Sequence, residues 1–189
     1  MDRPPAASQA TAAIALEQRY DRLTIALHWL TVLLVVTLWS LAQVWDLAPK
    51  GSAARHAMQA LHVSFGLVLI AVLALRVLWR AGPGRRLPPA DSGLLQMAAK
   101  AVHWGLYALL GVQAGLGVFG RWFSKDPLAF FGLFAIPSPF ARDKALEDGL
   151  ISIHDTVATI ILIVAGLHAA AALWHHYGRR DGVLRRMLP

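Results

Sequence analysis

The chain has 189 residues, of which 57% are hydrophobic and 15% are charged. A soluble domain has about 45–50% apolar and about 25% charged residues, so this composition indicates an integral membrane protein. The absence of cysteine excludes disulfides, iron–sulfur clusters and thiolate metal ligands. We interpret the net charge of +7 as a topology signal and not as a nucleic-acid-binding surface.

A polar N-terminal stretch precedes four apolar segments, each long enough to cross a bilayer. Residues 1–18 have no hydrophobic run of signal-peptide type and are predicted to form a disordered tail, which leaves residues 19–189 as one membrane domain. The predicted membrane segments are residues 23–45, 56–79, 94–119 and 151–177. The sequence therefore predicts an all-α fold, a bundle of four transmembrane helices.

The connections between these segments differ in charge and aromatic content. The longest, residues 121–148, is rich in Phe and Trp and is predicted to form a short cap on the membrane surface. Most of the Lys and Arg residues lie in the two tails, in the second connection and at the adjoining helix ends. The positive-inside rule then predicts that both termini are cytoplasmic.

The fourth segment carries two histidines inside its apolar run, His154 and His168, fourteen positions apart. In a helix this spacing returns to nearly the same face and separates the two rings by about 21 Å along the axis. Ionisable groups inside a membrane are costly and usually functional, and imidazole is a common axial ligand of haem iron. The pattern favours a helix that holds two haems, with hydrogen bonding between helices as the alternative.

The other segments supply histidines at matching depths. His62 is close to the outer side with His154, and His28 is in the inner half with His168. His103 is also in the inner half, so on depth alone it could replace His28 as the partner of His168. Its alternative role is a polar group that hydrogen-bonds within the bundle, to a haem propionate or to a quinone.

Three further residues are candidates on the inner side. Arg76 and Lys100 lie where the propionates of an inner haem would need cations, although snorkelling to lipid phosphate is the alternative. His175 follows His168 by seven residues and shares its face, so it could meet a quinone headgroup. Alternatively, it is a solvated residue that the helix dipole favours.

Four stretches of the chain carry a family resemblance. They are RYDRLTIALHW around His28, ALHVSFG around His62, VHWGLYALL around His103, and SIHDTVATIILIVAGLHAAAALWHHY around His154 and His168. With these motifs the chain resembles the bacterial cytochrome b561 family, and within it the superoxide oxidase type. The resemblance runs from about Arg19 to the last residue.

The resemblance implies a bacterial inner-membrane protein with two haem b groups that exchanges electrons with the quinone pool. It implies that the haem ligands are His28, His62, His154 and His168, which leaves His103 as a non-ligand. The superoxide oxidase type implies oxidation of superoxide at the outer haem and reduction of ubiquinone near the inner haem. Candidate quinone-site residues are Ala26, Trp174 and His175.

Together these expectations predict that the chain is a superoxide:ubiquinone oxidoreductase embedded in membrane lipid. The outer cations that would attract the superoxide anion are Arg55, Arg121, Lys125, Arg142 and Lys144. One alternative is an electron-transfer subunit that accepts electrons from a periplasmic redox protein docked on residues 121–148. A second alternative is a haem-free structural or transport protein.

Overall fold

The molecule is a bundle of four long helices with a small hairpin at one end. The computed structural model describes residues 19–189, so the predicted tail, residues 1–18, lies outside the described residues. Each helix is long and apolar enough to cross a membrane, which confirms the predicted fold class. The helices are α1 (Arg22–Val44), α2 (Ala53–Ala81), α3 (Gly93–Phe123) and α4 (Lys144–Trp174).

Helix α4 begins at Lys144, well before the apolar run that predicted it. The Asp143 side chain caps this start and accepts hydrogen bonds from the backbone N–H groups of Ala145 and Leu146, at 3.0 Å each. The first turns of α4 are polar, so hydropathy gives no signal for them. At its other end α4 passes into a π-helical turn, His175–Arg179.

The connection between α3 and α4 contains an antiparallel hairpin that the sequence analysis did not predict. Strand β1 (Leu128–Phe130) pairs with β2 (Phe134–Ile136). The turn between them places both Phe131 and Gly132 at positive φ, 47° and 74°. Glycine adopts this conformation readily, whereas phenylalanine rarely does.

Contacts with α2 hold the hairpin in place. The Ser64 side chain is almost completely buried, and its hydroxyl lies 3.1 Å from the carbonyl oxygen of Ala129. The same hydroxyl accepts a hydrogen bond of 2.9 Å from the backbone N–H of Phe131, whose ring packs against Phe65. These contacts hold the strained turn against Ser64, which follows His62 by two residues on α2.

Helix α1 packs mainly against α2, and α3 packs mainly against α4. All four helices contribute buried side chains to an apolar layer between the two ends of the bundle. None of its members is titratable. The layer consists of Leu27, Leu34, Leu69, Val72, Leu110, Val157 and Ile161.

The end of the bundle opposite the hairpin holds both ends of the described chain. The backbone N–H of Tyr20 donates to the carbonyl of Arg186 at 3.1 Å, and Trp29 Nε1 donates to that of Met187 at 2.7 Å. Arg186 Nη1 also donates to the carbonyl of Pro88 at 2.8 Å. We call this the terminal end and the opposite one the hairpin end. That the terminal end faces the cytoplasm stays a prediction.

Asp21 joins three elements at the terminal end. Its carboxylate caps α1 through Thr24 N–H at 2.9 Å and also accepts hydrogen bonds from Trp79 Nε1 at 2.9 Å and Arg85 N–H at 3.0 Å. Burial raises the pKa of Asp21, but these hydrogen bonds to the charged form outweigh burial and hold the pKa well below its ordinary value.

Candidate functional site

His62 on α2 and His154 on α4 face each other at the hairpin end, and we call them the hairpin-end pair. Their ring centroids are 6.3 Å apart. The Nδ1 atom of His62 is 3.0 Å from the carbonyl oxygen of Leu38, and the Nδ1 atom of His154 is 3.1 Å from the carbonyl oxygen of Gln113. Because a carbonyl only accepts, each Nδ1 carries the proton and each Nε2 keeps a free lone pair. Metal-binding histidines commonly show this arrangement.

The surroundings of the hairpin-end pair are closely packed. The His62 ring meets the Trp45 ring edge-on, with centroids 5.1 Å apart. On the other side, His154 lies against the backbone of α3 at Gly117. A Cβ atom at that position would be only 3.1 Å from His154 Cε1. The absence of a side chain at Gly117 therefore lets the ring approach α3.

His28 on α1 and His168 on α4 form a second pair near the terminal end, which we call the terminal-end pair. Their ring centroids are 6.4 Å apart. His103 on α3 also approaches His168, with a centroid separation of 5.2 Å. The structure therefore brings together all three histidines that the sequence placed at this depth.

The separations within the two pairs fit a haem iron. Two imidazoles that bind one iron from opposite faces, with metal–nitrogen bonds of about 2.0 Å and a ring radius of about 1.1 Å, have centroids about 6.2 Å apart. Both pairs meet this distance, whereas His103 and His168 are about 1 Å too close. Within residues 19–189, no group of three or more His, Cys, Asp or Glu side chains is arranged to hold a metal ion. A haem, whose porphyrin brings further ligands of its own, would suit such a two-histidine site.

Arg76 on α2 lies beside the terminal-end pair. One guanidinium nitrogen is 3.5 Å from His28 Nδ1, longer than a normal hydrogen bond. The guanidinium also stacks over the Tyr107 ring, 5.2 Å from its centroid. Arg76 is thus a half-buried cation that could meet an anionic propionate. Lys100, the other predicted cation, is exposed on α3.

Comparison with family models matches residues 19–189 to the family described as "Prokaryotic cytochrome b561". The chain belongs to the prokaryotic cytochrome b561 family. Members of this family bind haem b, and the chain is a multi-pass electron-transfer protein of the bacterial inner membrane.

Three curated relatives cover nearly the whole chain. The chain is 31% identical over 175 residues to cytochrome b561 homolog 2 of Escherichia coli (strain K12), with 90% of this chain and 92% of that relative covered. It is 30% identical over 175 residues to probable superoxide oxidase CybB of Yersinia pestis, with 92% and 98% covered. It is also 30% identical over 174 residues to cytochrome b561 homolog 1 of Escherichia coli (strain K12), with 90% and 97% covered.

His175 of this cytochrome b561 family member belongs to a charged cluster at the terminal end. His175 Nδ1 is 2.6 Å from an Asp181 carboxylate oxygen, and its Nε2 is 3.5 Å from one of Asp91. Arg179 also pairs with Asp91. Burial raises the pKa of Asp181, but its hydrogen bond from His175 and its other favourable contacts lower the pKa below its ordinary value.

The other two candidate quinone-site residues, Trp174 and Ala26, are both exposed. Sequence reasoning missed Asp91 and Tyr107. Tyr107 follows His103 by four positions, a spacing that puts both on one helix face and could have identified it. Asp91 lies in a Pro/Gly-rich turn and gives no comparable signal.

The five cations predicted to be on the outer side lie near the hairpin end, and most are neutralised. Arg55 pairs with Asp46 at 2.6 Å, and Arg121 pairs with Asp126 at 3.0 Å. Lys144 pairs with Glu147 and Asp148. Lys125 donates to the carbonyl of Phe140, and Arg142 is exposed. Ion pairing therefore neutralises three of the five cations.

Proposed function

We propose that this family member holds two haem b groups, oxidises superoxide at the hairpin end and reduces ubiquinone at the terminal end. The observation that carries the proposal is the presence of two facing histidine pairs with centroids 6.3 and 6.4 Å apart. Both pairs include α4, where His154 and His168 are separated by about 21 Å along the axis. When bound, haem iron supplies reversible one-electron transfer.

In this proposal His62 and His154 hold one iron, and His28 and His168 hold the other. The carbonyls of Leu38 and Gln113 orient the hairpin-end rings so that Nε2 faces the ligand position. The 5.2 Å separation from His168 supports a different role for His103, as a group beside the cofactor.

The overall reaction needs protons on one side only. Two superoxide anions each lose one electron and leave as dioxygen, while ubiquinone gains two electrons and two protons to become ubiquinol. We assign the proton-delivering role at the terminal end to His175, which lies between the carboxylates of Asp181 and Asp91. Trp174 and Ala26 complete the proposed quinone site.

The proposed role of His175 has a direct test. In His175→Ala we expect both haems to stay bound and quinone reduction to slow, because the ring that passes protons is lost. His56→Ala is the control, since it removes an exposed imidazole at the start of α2, away from the proposed quinone site. Quinol formation is followed by absorbance, and an unchanged rate in His175→Ala would remove His175 from the mechanism.

The main experiment mixes the oxidised, purified protein with superoxide and follows haem absorbance with and without a ubiquinone analogue. We expect fast haem reduction that the quinone then discharges. If superoxide leaves the haems oxidised while dithionite reduces both, superoxide is not the donor.

A second candidate function is electron transfer from a periplasmic redox protein to the quinone pool. The hairpin supports it because three large apolar side chains there are exposed, namely Leu133 at 78%, Phe134 at 54% and Ile136 at 41%. Such an exposed patch is a common feature of docking surfaces. Copurification of a periplasmic redox partner, lost in Leu133→Ser, would favour this function.

A further inference from the structure

A cavity of about 300 Å³ lies at the terminal end, beyond the last turn of α4. It is separate from the histidine pairs, and none of the predicted site residues lines it. Its lining is polar and mostly basic. The lining residues are His176, Tyr177, Arg180, Gly182 and Arg185.

The backbone around the cavity is held in a defined shape. Arg180 ends the π-helical turn in the left-handed region, at φ 55°, and Gly182 follows at φ 77°. The Leu184–Arg186 turn then carries the chain back to the bundle, where Arg186 accepts the hydrogen bond from Tyr20. A left-handed residue is common at the C-terminal end of a helix, and here it begins the turn that lines the cavity.

The nearby carboxylates are turned away from the cavity. Asp181 directs its oxygens to His175 and to the backbone N–H of Val183, at 2.6 and 3.2 Å. Asp91 pairs with Arg179 and His175. Among residues 19–189, no carboxylate pairs with Arg180 or Arg185. Within this part of the chain, the positive charge of the two arginines at the cavity is therefore not paired.

We propose that this cavity binds a phosphate oxyanion, supplied by the headgroup of an anionic phospholipid. Arginine guanidinium groups match the geometry of phosphate oxygens, and the Tyr177 hydroxyl offers a further donor. A volume of about 300 Å³ holds a headgroup but not a whole lipid. Of the described residues, no carboxylate lines the cavity to meet the ammonium of a zwitterionic lipid.

The position of the cavity favours a lipid over a soluble phosphate. Leu173 and Trp174, on the last turn of α4, are exposed by 49% and 67%. Acyl chains can lie against these exposed apolar side chains while the headgroup enters the cavity. Exposed Trp and Tyr side chains are typical of the membrane interface.

The first test exposes the full-length protein, in mild detergent, to phosphatidylglycerol and phosphatidylcholine with identical acyl chains, and counts bound lipids by native mass spectrometry. We expect phosphatidylglycerol to be retained at least about fivefold more than phosphatidylcholine. Arg180→Asn with Arg185→Gln should abolish this preference, and asparagine tolerates the left-handed backbone at position 180. The control, Arg22→Gln with Arg86→Gln, removes two exposed cations from the same half of the bundle and should keep the preference.

The second test uses inorganic phosphate alone and measures the thermal unfolding temperature. Phosphate could raise the unfolding temperature of the wild type but not that of the Arg180→Asn, Arg185→Gln protein. Together with equal retention of the two lipids, this result would show that the cavity binds a soluble phosphate and not a lipid headgroup. Equal retention of the two lipids and no phosphate effect in the wild type would overturn the proposal. Unchanged circular dichroism of each variant shows that the fold is intact.

Discussion

At the scale of single residues, the hydrogen-bond partner of each imidazole determines which nitrogen is free to bind a metal. In His62 and His154 the partner is a carbonyl of a neighbouring helix, so Nε2 remains available. His103 lies close to His168, but the distance leaves no room for an iron atom between the two rings. The distances therefore favour His28 over His103 as the partner of His168, a choice that depth in the membrane left open.

The difference between His28 and His103 can be measured as haem content. We expect His28→Ala to bind one haem per chain and His103→Ala to keep two, because only His28 is at ligand distance from His168. The pyridine haemochrome assay, normalised to protein concentration, measures the number of haems per chain. Loss of a haem in His103→Ala with retention in His28→Ala would reverse the ligand assignment.

Asp21 provides a prediction about stability. Asp21→Ala removes the cap of α1 and the acceptor for Trp79, which should lower the free energy of unfolding by about 1–3 kcal/mol at neutral pH. Asp21→Asn keeps a side chain that can cap α1, so its free energy of unfolding should fall by less. Thermal unfolding in detergent compares the three proteins.

The pH dependence of this contribution follows from the lowered pKa of Asp21. A carboxyl group whose pKa is lowered in the folded state stabilises the fold at pH values above its pKa in the unfolded chain, which is about 3.9. The stabilisation is lost as the pH falls through the folded pKa. The difference between wild type and Asp21→Ala should therefore be constant between pH 5 and 8 and shrink below about pH 4. A difference that grows on acidification would contradict this account.

At the scale of elements, the packing of α3 against α4 depends on a glycine. Gly117→Ala should displace the His154 ring by a few tenths of an ångström, because the new Cβ would be 3.1 Å from His154 Cε1. We expect a shift in the redox potential and absorbance of the hairpin-end haem only. Gly115→Ala is the control, since nothing lies within 4 Å of a Cβ at that position. If Gly117→Ala and Gly115→Ala have equal spectra, the new Cβ at position 117 does not displace the His154 ring.

Hydropathy and spacing predicted the four helices and the depths of the histidines, because bilayer thickness imposes both. They did not predict the elements that depend on distant partners. The hairpin turn rests on Ser64, which is 67 positions from Phe131, and Asp91 meets Arg179 across 88 positions. No local pattern encodes such contacts. The polar start of α4 was missed for a different reason, since its cap at Asp143 lies outside the apolar run.

At the scale of the whole molecule, charge pairing weakens the attraction of anions to the hairpin end. With Arg55, Arg121 and Lys144 paired to acids, we expect the superoxide rate constant to fall less than about threefold between about 0.02 and 0.2 M salt. Stopped-flow measurement over this range tests the expectation. A tenfold or steeper fall would show that the ion pairs do not neutralise the surface.

The apolar layer between the two histidine pairs has a consequence for cellular energetics. Its members offer no group that could pass a proton, so an electron that crosses it in the proposed direction travels without a compensating ion. With the terminal end cytoplasmic as predicted, each crossing would add negative charge to the cytoplasmic face, and ubiquinone would take up its protons from the same side. Turnover would build membrane voltage, and an existing voltage of 100 mV would oppose each full crossing by about 2.3 kcal/mol. The protein would thus recover as electrical work part of the energy released when superoxide is oxidised.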